Sequence, residues 1–156
     1  MNLNIGIEES KRTEIAKDLG KLLAETYTLY LKTHKYHWNV TGPMFQTLHL
    51  MFEQHYTDLS LAVDEIAERI RVLGVKAPGS YTEFSELSSV KDDPSLDVNA
   101  SAMIENLLHD HEQIVRTSKN LLNTLEGSND EGTNSFIGAR IEYHEKTAWM
   151  LRSMMG

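Results

Sequence analysis

Between Lys35 and Gly74 the chain strings together His37, His49, Glu53, Asp64 and Glu68, side chains of the kinds that bind metal ions. Imidazole and carboxylate donors together suit iron, zinc or manganese. His49/Glu53 and Asp64/Glu68 are each spaced i,i+4, so on a helix each pair projects from adjacent turns and makes half of a chelating site. The 156 residues include no cysteine. Disulfides and thiolate metal sites are therefore excluded, and His, Asp and Glu are the available ligands.

The element that must position these groups is readable from phase. Apolar residues at 45, 48, 52, 56, 59, 63, 66, 70 and 73 step by three and four, the mark of a long amphipathic helix with one core stripe. At about 100° per residue with Phe52 at zero, His49 falls near 60°, Glu53 near 100°, Asp64 near 120° and Glu68 near 160°, all beside the stripe. A rise of roughly 1.5 Å per residue nevertheless separates His49 from Glu68 by about 28 Å, too far to share an ion. The geometry closes if a second copy of the helix runs antiparallel across a two-fold axis, so that His49 and Glu53 of one chain face Asp64 and Glu68 of the other. One such self-complementary interface yields two equivalent sites.

The remaining elements follow from breakers and stripes. A first helix is expected over about 8–39, with a stripe at 15, 19, 22, 26, 29, 33 and 37, and Thr41-Gly42-Pro43 ends it, with Pro43 in the first turn of the second helix. The second helix stops at Gly74. Residues 75–98, with Pro78, Gly79 and Pro94, form a long crossover that carries a short helix near 83–87. A third long helix over about 99–126 stops at Gly127, and a fourth covers about 133–154. Four long helices with one long middle connection define an all-α, ferritin-like four-helix bundle, read as a single domain over residues 1–156.

The motif His37-Trp38, Gly42, Leu48-His49, Glu53 and Asp64-x-x-x-Glu68-Arg69 closely resembles that of the Dps proteins, the bacterial mini-ferritins. Ala77-Pro78-Gly79-Ser80 with Glu83-Phe84, and the stretch from His144 to Arg152, extend the likeness over nearly the whole chain. The resemblance implies that His37, His49, Glu53, Asp64 and Glu68 are intersubunit ferroxidase ligands. It implies that Fe(II) is oxidised to Fe(III), preferentially by hydrogen peroxide, and that ferric mineral is stored in a homododecameric shell, protecting the cell from oxidative damage. Position 53 is Glu where several family members have Asp, which lengthens that arm by a methylene and is expected to alter a second iron position while sparing the first. Glu126, Asp130 and Glu131 match the family's pore acids.

Composition limits the alternatives. Fifteen Lys and Arg against 23 Asp and Glu give a net charge of −8, which disfavours a polyanionic partner. The first twenty residues hold Lys11, Arg12 and Lys17 against Glu8, Glu9, Glu14 and Asp18, so the lysine-rich arm that would neutralise DNA phosphates is missing and DNA binding should be weak or absent. No apolar run approaches the roughly 18 residues of a membrane span and no leader is evident, so a cytoplasmic location is expected, with nucleoid association only under the DNA reading. No Glu-x-x-His occurs, against a di-iron centre inside the bundle. His111 and His144 lie on apolar stripes and read as core or interface residues. His34 shares the face of His37, whereas His55 points away from His49 and Glu53. Trp38 and Trp149 read as packing residues before electron donors, and Met150 and Met154 as packing rather than haem ligands. Two other classes stay open: a nucleoid-compacting protein, and a structural shell with an incidental zinc site.

Overall fold

A computed structural model describes residues 2–156. Five helices follow in order: α1 (Glu9–Asn39), α2 (Phe45–Val72), α3 (Tyr81–Leu87), α4 (Ala100–Leu125) and α5 (Glu131–Ser153). The fold is the all-α bundle that the periodicity predicts. Helix α1 packs along α2 and α4 along α5, each pair joined by a short turn, and α1 meets α4 across the interior. Among the described residues, no helix is long and apolar enough to cross a membrane.

Each boundary has a local cause. Gly42 (φ +102°) lets the chain leave α1, and the Phe45 N–H donates to the Gly42 carbonyl at 3.0 Å. That turn encloses Pro43, so α2 starts two residues beyond the proline rather than around it. Gly74 (φ +86°) closes α2 in the left-handed conformation that glycine favours, and the Val75 N–H reaches back to the Ile70 carbonyl at 3.3 Å. Helix α3 begins at Tyr81, earlier than expected, because Ser80 caps it: its Oγ accepts from the Glu83 N–H at 3.2 Å, while Glu83 accepts from the Gly79 N–H at 2.9 Å. Asn99 caps α4 and Asp130 caps α5, the latter fixing its start at 131 rather than 133.

The first-helix stripe packs as expected: Ile15, Leu19, Leu22, Thr26, Leu29, Thr33 and His37 are all buried. From α2, Leu48, Phe52, Leu59, Ile66 and Ile70 join them in one apolar core, each such side chain contributing roughly 1.5–3 kcal/mol on burial. Two polar clasps fix the crossover and the α1–α4 contact. The Tyr36 hydroxyl donates to Asp93 at 2.5 Å, and Lys32 pairs with Asp110 at 2.6 Å.

Candidate metal centre

Where α1 ends and α2 begins, His37 and His49 stack with ring centroids 3.8 Å apart and planes 14° from parallel. Their contact is reciprocal. His37 Nδ1 donates to the His49 carbonyl at 2.7 Å, and His49 Nδ1 donates to the His37 carbonyl at 2.8 Å. A carbonyl can only accept, so Nδ1 carries a proton on both rings, which leaves Nε2 as the lone-pair nitrogen of the neutral tautomer. Backbone anchoring of one nitrogen is the usual way a protein orients the other towards a metal. His37 is buried and His49 half-buried, Phe45 stacks on His49 at 5.0 Å, and Tyr56 meets His37 edge-on at 5.1 Å.

The acids of α2 present a different picture. Glu53, Asp64 and Glu68 are all exposed, and none belongs to an ion pair among the described residues. Glu53 stands one turn from His49. Asp64 lies about 16 Å further along the axis and Glu68 one turn beyond it. Among the described residues of one chain, no three His, Asp or Glu side chains converge on a metal position. The fold thus brings His37 to His49 and leaves Asp64 and Glu68 at the far end of α2. The residues fit an iron site in donor chemistry, with two oriented imidazoles and uncommitted carboxylates, and they complete one only if a second chain brings its acids across.

Other residues singled out from sequence fall into several environments. Glu126 and Glu131 are exposed beside the α4–α5 turn. Asp130 corrects the expectation of a third pore acid: it is 4% exposed, accepts from the Thr133 N–H at 2.9 Å and the Thr133 hydroxyl at 2.6 Å, and pairs with Arg69 at 2.6 Å. Its carboxylate is occupied in capping α5 and tying it to α2. The partner of Arg69 is 61 residues away in sequence, beyond what helix phase alone reveals. Gly132 makes room for it, since a Cβ there would sit 2.9 Å from the guanidinium.

Trp38 and Trp149 also depart from expectation, at 59% and 60% exposed. Each sits on the outward side of its helix, and only Trp38 has an aromatic neighbour, His34, at 4.0 Å. Met154 packs against the core, whereas Met150 is exposed.

His55, His111 and His144 are buried in the interior. The Arg140 guanidinium donates to His144 Nε2 at 3.4 Å, which makes His144 Nδ1 the donor to His111 Nδ1 at 2.8 Å. Burial, then the neighbouring histidines and Arg140, hold His111 and His144 well below the usual histidine pKa. Burial lowers His55 to about 4.

The all-α bundle with its long crossover is the fold of ferritin-like proteins, and comparison agrees. Residues 16–156 match the ferritin family, described as a ferritin-like domain. An uncharacterized low temperature-induced protein of Nostoc is 41% identical over 98% of this chain and 86% of its own. DNA protection during starvation protein 2 of Bacillus anthracis is 34% identical over 91% of this chain and 97% of its own. A solved Dps protein of Vibrio cholerae, described as belonging to a broad superfamily of ferritin-like diiron-carboxylate proteins, superposes with a TM-score of 0.94 at 29% identity, covering all of this chain and 98% of that one. The chain belongs to the ferritin-like family and, within it, to the Dps proteins.

Proposed function

We propose that this protein takes Fe(II) as substrate at two equivalent sites per pair of chains, each made of His37, His49 and Glu53 from one chain and Asp64 and Glu68 from its partner. The observation that carries this reading is the reciprocal His37–His49 clamp, which leaves both Nε2 atoms uncommitted, while α2 also carries three exposed carboxylates outside any ion pair among the described residues. Anionic ligands favour the ferric state over the ferrous, because the added positive charge is better met by negative donors, so binding promotes oxidation. Hydrogen peroxide is the oxidant: two bound ferrous ions supply together the two electrons that cleave its O–O bond, and no hydroxyl radical is released.

The ferric product accumulates as mineral inside a dodecameric shell, which removes both reactants of damaging iron chemistry from the cytoplasm. Glu126 and Glu131 are the acids that draw cations towards an opening of that shell, as anionic rims raise local cation concentration. A net charge of −8 keeps the outer surface from condensing DNA.

The test is an anaerobic Fe(II) titration followed by a stoichiometric peroxide pulse, read by ferric absorbance, on the wild type and Asp64→Ala. Fast oxidation that collapses in the variant supports the shared site. Equal traces from both proteins and from buffer would overturn the enzyme reading and leave a shell that holds zinc.

A further inference from the structure

Helix α5 packs closely along α4 and is tied to α2 by two arginines. Arg69 bonds Asp130 and Thr133 at the start of α5, and further along Arg140 pairs with Asp58 at 2.9 Å. Behind the second tie runs a chain of donors and acceptors. One terminal nitrogen of Arg140 donates to Asp58 and to His144 Nε2, and His144 Nδ1 donates to His111 Nδ1 at 2.8 Å. His111 then carries its own proton on Nε2, which is buried without a partner.

Every lone pair on the two rings is therefore in use. A proton entering at His144 Nε2 sets one donor against another at the guanidinium. A proton entering at His111 Nδ1 does the same against His144. Neither ring has a third place for it.

The surrounding groups give an added charge no counterion. Tyr143 of α5 lies beneath Arg140, its ring centroid 4.5 Å from the guanidinium carbon, and burial raises its pKa, so it stays neutral. His55 of α2 meets His111 edge-on at 5.9 Å. Asp58 already holds Arg140, and Lys32 of α1 is matched by Asp110 of α4.

We propose that the His111–His144–Arg140 chain is an acid latch: a proton delivered to it expels Arg140 from the interior, frees Asp58 and opens the seam between α2 and α5. The tie from Arg69 to Asp130 stays closed and serves as the hinge. The latch works with or without iron.

The direction follows from linkage. In the closed bundle burial, then His111 and Arg140 beside it, hold the His144 pKa well below its ordinary value of 6.5, whereas water in the opened seam restores that value. Opening thus takes up a proton. Its equilibrium constant should rise by roughly tenfold for each pH unit below 6.5 and stay level above it.

The experiment reads the seam through a single thiol. Ala62 shares the flank of His55, Asp58 and Arg69 on α2 and is 1% exposed. The chain has no cysteine, so Ala62→Cys supplies the one reactive group. Its labelling by a neutral aromatic disulfide, measured against a cysteine peptide at the same pH, is expected to accelerate by roughly tenfold per unit below pH 6.5. Ala24→Cys, at a fully buried core position of α1, is expected to stay slow over the same range.

Two further changes are placed in the Ala62→Cys chain. His144→Gln keeps an acceptor for Arg140 and a donor for His111 but does not titrate, and should hold the thiol slow at every pH. Arg140→Met removes the tie itself, and should label at neutral pH as fast as the Ala62→Cys chain does in acid. Acceleration at position 24 in parallel with position 62 would mean that the whole bundle unfolds, and overturns the latch. So does a thiol at 62 that stays slow in acid, an acceleration that persists in His144→Gln, or slow labelling of Arg140→Met at neutral pH.

Discussion

His37 with His49, and His111 with His144, are two pairs of imidazoles in contact, 3.8 Å and 5.0 Å between ring centroids, and they are held in opposite ways. In the first pair each ring gives its Nδ1 proton to the other's backbone, so neither Nε2 atom has a hydrogen-bond partner among the described residues. In the second pair one ring donates to the other, and a guanidinium occupies the remaining nitrogen of His144. On the proposed reading, the outer pair receives a cation. The inner pair is surrounded by burial and positive charge, which penalise any cation there. Histidine identity therefore says little about metal binding, and the partner of the second ring nitrogen says nearly everything.

The largest expected effect separates the pairs by activity. His49→Ala should lower peroxide-driven Fe(II) oxidation by roughly 100-fold, in line with the loss of an oriented ligand, with little change in melting temperature. His144→Ala should do the reverse. Ferric absorbance stays close to wild type, while urea unfolding shows a loss of about 2–4 kcal/mol, because His111 loses its partner and the core gains a cavity. Loss of iron oxidation in a folded His144→Ala protein would erase the distinction.

Acid sharpens the same contrast. The folded pKa values of His111 and His144 lie below the unfolded value of 6.5. The unfolded chain therefore binds the extra protons, and stability present at neutral pH is lost as pH falls below 6.5. The slope should approach about 2.7 kcal/mol per pH unit for the two sites together. Urea midpoints measured from pH 7 to 5 should fall, and His144→Ala should flatten the slope.

Smaller in size is a test of the two kinds of acid. Asp130→Ala should cost about 2 kcal/mol through the lost cap and the unpaired Arg69, whereas Glu131→Gln, at an exposed position, should leave thermal stability unchanged.

The smallest effect concerns Glu25, buried in the interior with its pKa raised, chiefly by burial. A raised carboxyl pKa means the folded state binds the extra proton, so the wild type gains stability as pH falls through that pKa towards 4.5. Glu25→Gln should be the more stable protein at pH 7, and thermal melts should show its advantage shrinking as the medium is acidified.

Much of this was legible in the residues themselves, since periodicity and breakers are local. The stripe of α2, the stop at Gly74 and the crossover follow from helix phase and backbone chemistry. So does the placement of His49, Glu53, Asp64 and Glu68 on one flank, together with the separation that forbids one chain from closing the site. Helix starts shifted by two residues at α2, α3 and α5, because a turn around Pro43 and caps at Ser80 and Asp130 set the hydrogen bonds that begin each helix.

What only the tertiary structure decided were contacts between residues distant in sequence or on different helices. They are the reciprocal His37–His49 bonds that fix both tautomers, the Arg69–Asp130 pair that turns a supposed pore acid into a buried cap, the outward Trp38 and Trp149, and the chain from Asp58 through Arg140 and His144 to His111 that joins α2, α5 and α4. Helix phase determines which side of a helix a residue occupies, but not which partner from another helix meets it there. The direction of a ring proton or the commitment of a carboxylate depends on that partner.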